Sequence, residues 1–136
     1  MRTVLVAAAV VVENGRVLVT QRKAGTHLEG AWEFPGGKVL PGEDPRAGLR
    51  RELEEELGVQ VVVGEIVDVA FHRYPEADRA VLLLFFEATR TPQSPDPRAL
   101  DVAAFAWAGP RELDPALFPP ADLAVLGKVK AKLLSA

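Results

Sequence analysis

The stretch GGKVLPGEDPRAGLRRELEEELGV, from Gly36 to Val59, decides the fold because it joins a glycine-rich turn to a helical segment and contains five glutamates. Asp44 is suited to the N-cap of this helix, and Pro45 to its first position, where no backbone donor is needed. Gly58 suits a left-handed C-terminal residue. The sequence therefore predicts a helix from about Pro45 to Leu57.

Three of the glutamates lie on one face of this helix. At about 100° per residue, Glu52, Glu55 and Glu56 share an arc of roughly 100°, and Glu54 points to the far side. Beside the acids runs an apolar stripe: Leu49, Leu53 and Leu57. Clustered like charges destabilise a helix unless something offsets them.

A divalent cation would offset this charge. Oxygen-only ligands, with no cysteine in the chain, favour Mg²⁺ or Mn²⁺ over zinc. The alternative is a solvated acidic face paired with neighbouring cations: Arg46, Arg50 and Arg51.

Composition narrows the class of protein. The 136 residues predict one domain, 1–136, with the hydrophobic and charged fractions of a globular protein. A net charge of −3 argues against a polynucleotide partner, while a metal-neutralised phosphate ester remains compatible. The apolar start, Thr3 to Val12, is followed by a turn and not by a cleavage site, so we expect a strand and a cytoplasmic protein without a membrane segment.

Strand patterns occur on both sides of the helix. Asn14-Gly15 predicts a hairpin between two strands. The predicted strands are Val4–Val12, Arg16–Gln21 with alternating faces, Trp32–Phe34, Val59–Ala70, Ala80–Ala88 and Val102–Ala108, with an extended segment at Lys38–Leu40. An amphipathic helix is expected at Asp122–Leu134, with lysines opposite its apolar face.

The central stretch resembles the Nudix box of the Nudix hydrolases. The matching positions are Gly37, Glu43, Arg51, Glu52, Leu53, Glu55, Glu56, Gly58 and Val59. The flanking segments Trp32-Glu33-Phe34-Pro35-Gly36-Gly37-Lys38 and Phe118-Pro119-Pro120-Ala121 are similar to those of the MutT-type branch, nucleoside triphosphate pyrophosphohydrolases. This resemblance implies an α/β fold, an α/β/α sandwich whose mixed sheet lies between the box helix and the C-terminal helix.

The resemblance also implies catalytic roles. Glu52, Glu55 and Glu56 would bind Mg²⁺ together with a carbonyl oxygen of Gly36 or Gly37, and Glu43 would lie close by. Glu52 would be the general base, and Arg51 would orient a glutamate. A further acidic metal ligand is implied at Asp101, where the usual residue of this branch is Glu. The alternative is that Asp101 is only a turn residue between a loop and a strand.

Substrate contacts are implied at five positions. Arg22 and Lys38 are candidate phosphate contacts, and Phe34, Arg79 and Asp122 are candidate base contacts. Asp122 stands where the oxidised-dGTP enzyme has Asn, and an ionised Asp only accepts hydrogen bonds. Its alternative role is the N-cap of the last helix.

The predicted substrate is a small nucleotide. The resemblance favours a (d)NTP, oxidised or modified as in 8-oxo-dGTP, hydrolysed to nucleoside monophosphate and pyrophosphate. CTP-like, dinucleoside polyphosphate and ADP-ribose substrates stay open, and a non-enzymatic nucleotide sensor is the contrasting class. We expect a monomer or a small homo-oligomer.

Overall fold

The computed structural model describes residues 1–135; Ala136, the last residue of the predicted domain, lies outside the described residues. The strands are β1 (Arg2–Val10), β2 (Val12–Glu13), β3 (Arg16–Gln21), β4 (Trp32–Glu33), β5 (Gly36–Lys38), β6 (Val61–Tyr74), β7 (Arg79–Arg90) and β8 (Ala104–Ala108). The two α-helices are α1 (Pro45–Leu57) and α2 (Leu123–Ser135). No helix in this described part of the chain has the length and apolarity needed to cross a membrane.

The strands form two sheets. The larger has the order β5-β1-β7-β6, with β1 parallel to β7 and the other neighbours antiparallel. The smaller consists of β2, β3 and β4, with β8 also paired to β3. The larger sheet is therefore mixed, as the resemblance implied.

The helices pack on opposite faces of the sheets. Along β1, Ala7 and Ala9 belong to the core beneath α1, whereas Ala8 and Val10 belong to the core beneath α2. The leucine stripe of α1 is fully buried in the first of these cores: Leu49, Leu53 and Leu57. Burial of each leucine contributes about 1.5–3 kcal/mol. The predicted α/β/α sandwich is confirmed.

The ends of α1 follow the sequence prediction closely. The Asp44 carboxylate accepts a hydrogen bond from the Arg46 amide at 3.2 Å. Gly58 adopts a left-handed conformation, with φ of 70°, and its amide donates to the Glu54 carbonyl. Local residues thus fix the length of the helix before any packing is considered.

The alternating faces predicted for β3 are confirmed, because Val17 and Val19 belong to the core beneath α2 and Leu18 belongs to the core beneath α1. Another strand prediction was wrong in its bounds. The hairpin of β6 and β7 is longer than predicted, since its polar end continues to pair as far as Tyr74 with Arg79. Alternation in β6 is also interrupted by register shifts between Val63 and Asp68.

Candidate functional site

Two adjacent glycines bring the acidic face of α1 to the edge of the larger sheet. A Cβ atom on Gly36 would lie 2.0 Å from the Ala7 carbonyl oxygen, so Gly36 allows β5 to pair closely with β1. A Cβ atom on Gly37 would lie 2.4 Å from the Glu52 carboxylate. The strand backbone and the first acid of the face are therefore in direct contact.

Arg51 connects several of the box carboxylates. Its guanidinium binds both carboxylate oxygens of Glu43, each at 3.0 Å, and donates to Glu52 at 2.9 Å. Weaker contacts reach Glu55 at 3.3 Å and the Lys38 carbonyl at 3.2 Å. Hydrogen bonding to Arg51 holds the pKa of Glu43 at about 2. Arg51 thus contacts three of the box glutamates, Glu43, Glu52 and Glu55.

Glu56 is the least compensated acid of the face. Its Oε1 atom is buried and has no hydrogen-bond partner. Burial, with smaller effects from the Glu52 and Glu33 charges, raises the pKa of Glu56 to about 8. Burial also raises the pKa of Glu52, although Arg51 opposes the shift. Because burial disfavours the ionised form of Glu52 and Glu56, a nearby positive charge is needed to keep both carboxylates ionised.

A divalent cation suits this donor set chemically. The orphaned Glu56 oxygen lies beside Glu52, and hard oxygen ligands are those that Mg²⁺ prefers. Among the described residues, no three His, Cys, Asp or Glu side chains converge closely enough to form a metal site as they stand. Arg51 instead pairs with Glu43, Glu52 and Glu55.

Asp101 is held at the C-terminal end of α1 by its backbone. The amides of Leu100 and Asp101 both donate to the Glu56 carbonyl, at 3.0 and 3.1 Å, and the Arg98 amide donates to the Leu57 carbonyl at 2.9 Å. Asp101 is also close enough to Glu56 to contribute to the rise in its pKa. Its own carboxylate is exposed and pairs with Lys23.

A cavity of about 150 Å³ lies on the α2 side of the larger sheet. It brings together every predicted substrate contact and both glycines: Arg22, Phe34, Gly36, Gly37, Lys38, Arg79 and Asp122. These residues come from four separate parts of the chain and meet at one site, next to the acidic face of α1.

Asp122 is buried in this cavity. It is 3% exposed, and its Oδ2 atom has no hydrogen-bond partner. Burial, together with the Glu33 charge, raises the pKa of Asp122 well above the usual range, against the opposing effects of Arg22 and the Phe34 amide. Burial therefore disfavours the ionised, acceptor-only state expected of Asp122, and the sequence could not show this depth of burial.

The alternative N-cap role of Asp122 is not supported either. The residue ends a short 3₁₀ turn, Pro120–Asp122, and α2 begins at Leu123. Within residues 1–135, no hydrogen bond joins the Asp122 carboxyl to an amide of α2. The side chain instead lines the cavity.

Arg22 holds the loop that forms one wall of the cavity. Its Nε donates to the His27 carbonyl at 2.6 Å, and its Nη1 contacts the Glu33 carboxylate at 3.3 Å. Much of its donor capacity is thus used within the protein. The predicted phosphate contact of Arg22 remains a prediction.

Glu33 and Tyr74 are among the lining residues that were not predicted from the sequence. Burial raises the pKa of Glu33, and its charge acts on both Asp122 and Glu56. A lone acid between Trp32 and Phe34 in an aromatic strand was the available signal. Tyr74 had no such signal in the sequence, because the strand predicted at Val59–Ala70 was expected to end before it.

Comparison with known proteins agrees with this architecture. A family model described as NUDIX domain matches residues 1–129. The CTP pyrophosphohydrolase of Escherichia coli (strain K12) is 37% identical over 127 residues, covering 93% of this chain and 90% of that protein. The putative 8-oxo-dGTP diphosphatase 2 of Mycobacterium tuberculosis (strain ATCC 25618 / H37Rv) is 40% identical over 125 residues, covering 87% of this chain and 82% of that protein.

A solved structure supports the same conclusion. The crystal structure of the MutT NUDIX hydrolase from Burkholderia pseudomallei superposes with a TM-score of 0.80 at 25% identity, covering 92% of this chain and 97% of that one. Sequence, fold and the box glutamates of α1 point to one family. The chain belongs to the Nudix family of hydrolases, which act on diphosphate bonds.

Proposed function

We propose that the protein is a Mg²⁺-dependent pyrophosphohydrolase that converts nucleoside triphosphates to the monophosphate and pyrophosphate. The observation that carries the proposal is the buried Oε1 atom of Glu56, which lies beside Glu52, next to the cavity, and has no hydrogen-bond partner. An acidic face suited to a divalent cation, adjoining a cavity lined by cationic and apolar side chains, is the arrangement that this reaction needs.

The acidic face would hold the metal. Glu52, Glu55 and Glu56, with a carbonyl oxygen of Gly36 or Gly37, are the proposed ligands, and Asp101 is a further candidate. Mg²⁺, or Mn²⁺ in its place, would lower the pKa of a bound water and offset negative charge on the phosphate oxygens.

Glu52 is the proposed general base. Its carboxylate lies against the Gly37 backbone and is held by Arg51 at 2.9 Å, so its position is fixed. The raised pKa of Glu52 makes it a better proton acceptor than an exposed carboxylate. It would take the proton of the water that attacks the β-phosphorus. The bond from that phosphorus to the α–β bridging oxygen would break, the nucleoside monophosphate would leave, and the β- and γ-phosphates with the water oxygen would form pyrophosphate.

The cavity would hold the rest of the nucleotide. Lys38 and Arg22 are the proposed phosphate contacts, and the buried ring of Phe34 provides an apolar wall for the base. A neutral Asp122 carboxyl both donates and accepts, as the amide of Asn does. Arg79 adds a cation at the same cavity.

Oxidised or modified (d)NTPs such as 8-oxo-dGTP are the proposed substrates, and a relative named putative 8-oxo-dGTP diphosphatase 2 supports this choice. A CTP-like substrate is the second candidate, favoured by the relative named CTP pyrophosphohydrolase. We propose a cytoplasmic protein, either a monomer or a small homo-oligomer.

A nucleotide panel tests the proposal. With Mg²⁺ present, the wild type should release pyrophosphate, and not orthophosphate, from at least one triphosphate of the panel, and EDTA should abolish the release. Glu52→Gln should lower kcat by roughly 100-fold or more with little effect on folding.

The matched control is Glu54→Gln, a like change on the exposed far side of α1, which should keep the wild-type rate. Orthophosphate as the only product, or unchanged turnover by Glu52→Gln at saturating Mg²⁺, would contradict the proposal.

A further inference from the structure

An ion pair joins two loops beside the acidic face of α1. The Lys23 ammonium, which follows β3, contacts the carboxylate of Asp101, which precedes β8. The two residues are 78 positions apart in sequence. The contact lies near Glu56, because the Asp101 amide donates to the Glu56 carbonyl at 3.1 Å.

The backbones at both ends of this pair are fixed. The Lys23 carbonyl accepts a hydrogen bond from the Thr26 hydroxyl at 2.6 Å. The Ala103 amide donates to the Gln21 carbonyl at 2.9 Å, which ties the two loops together. Only the side chains of Lys23 and Asp101 are therefore free to rearrange.

The ion pair is also weak enough for Lys23 to leave Asp101 and bind another anion. Its side chains are 51% and 61% exposed, and exposed ion pairs contribute little to stability. The Lys23 ammonium is a compact cation on a flexible stem, able to bind a phosphate instead of a carboxylate. An incoming triphosphate would offer it a greater negative charge than Asp101 does.

We propose that Lys23 is a phosphate-binding residue that neutralises Asp101 in the nucleotide-free protein and releases it to the metal when the triphosphate binds. This inference rests on the proposed function. It makes Asp101 a ligand whose availability depends on the substrate, and it assigns a role to a lysine that otherwise reads as a solvated loop residue.

The test measures metal binding and turnover separately. Mn²⁺ affinity of the nucleotide-free protein is measured by electron paramagnetic resonance in the wild type, Lys23→Gln, Asp101→Asn and the double variant. Lys23→Gln should bind Mn²⁺ about two- to fivefold more tightly and raise KM for the triphosphate by a similar factor. In the double variant, where Asp101 is already Asn, adding Lys23→Gln should leave the Mn²⁺ affinity unchanged.

Lys132→Gln is the charge-matched control, because Lys132 makes a similarly exposed ion pair with Glu87, at 2.8 Å. An equal change in Mn²⁺ affinity in this control, or an effect of Lys23→Gln that persists without Asp101, would overturn the inference. An unchanged KM in Lys23→Gln would also overturn it while the proposed function stands. A wild type that hydrolyses no nucleotide of the panel would refute both.

Discussion

Replacing Gly37 with alanine tests whether catalysis requires the Glu52 carboxylate to lie directly against the β5 backbone. The added Cβ would lie 2.4 Å from both Cδ and Oε2 of Glu52, whereas ordinary van der Waals contact begins at 3.4 Å. The carboxylate must therefore move by about 1 Å, and a displacement of that size costs about 100-fold in rate.

Stability should change little in this variant. The atoms in the way belong to the end of a flexible side chain, and Gly37 is not among the glycines with positive φ. Moving a side chain off its preferred rotamer costs about 0.5–1.5 kcal/mol. We therefore expect Gly37→Ala to fold, with kcat lowered about 100-fold.

Two controls separate the effect on rate from the effect on folding. In Gly36→Ala the Cβ would meet the Ala7 and Ala8 backbone, so the free energy of unfolding should fall by about 1–3 kcal/mol. Gly127→Ala adds a methyl group on α2 with no atom within 4 Å and should leave kcat unchanged. Pyrophosphate release and urea denaturation provide the two measurements, and a Gly37→Ala rate equal to that of the wild type would refute the reasoning.

Three further predictions concern charged groups. Because burial raises the pKa of Asp122, its folded form retains a proton that the unfolded chain loses, so this residue makes the wild type less stable as pH rises above the usual carboxyl range of about 4. Asp122→Asn should lose this dependence in urea denaturation at pH 5 and pH 8, and equal pH slopes in the two proteins would contradict the assignment. Arg51→Lys keeps the charge but cannot bind both oxygens of Glu43, so kcat should fall at least about tenfold, with wild-type turnover as the contrary result. Arg90→Ala removes the guanidinium that donates to both carboxylate oxygens of Glu13, each at 2.7 Å. The free energy of unfolding should fall by about 1–3 kcal/mol while kcat stays unchanged. A folded variant with lost activity would contradict this prediction.

The part of the fold that could be predicted is the part fixed by neighbours in sequence. Asp44 and Gly58 set the ends of α1, and Asn14-Gly15 sets the first hairpin, with φ of 52° and 73°. The end of β6 could not be predicted, because its polar residues stay in the strand only through pairing with β7.

The candidate site could likewise be predicted only where its geometry depends on neighbours in sequence. Spacing along α1 predicted that Glu52, Glu55 and Glu56 share a face, since helix geometry depends on the local chain alone. It did not predict how Arg51 divides its contacts among the acids, or that Glu56 would be left without a partner at one oxygen.

By itself, the sequence determined the box helix, its buried leucine edge, its acidic face and the two glycines before it. Only the tertiary structure decided that Asp122 is buried, that Glu33 lines the cavity while its charge acts on Glu56, and that Lys23 pairs with Asp101. The physical reason is that burial and the charges of distant segments set the pKa of a carboxyl, and neither is defined until the chain has folded.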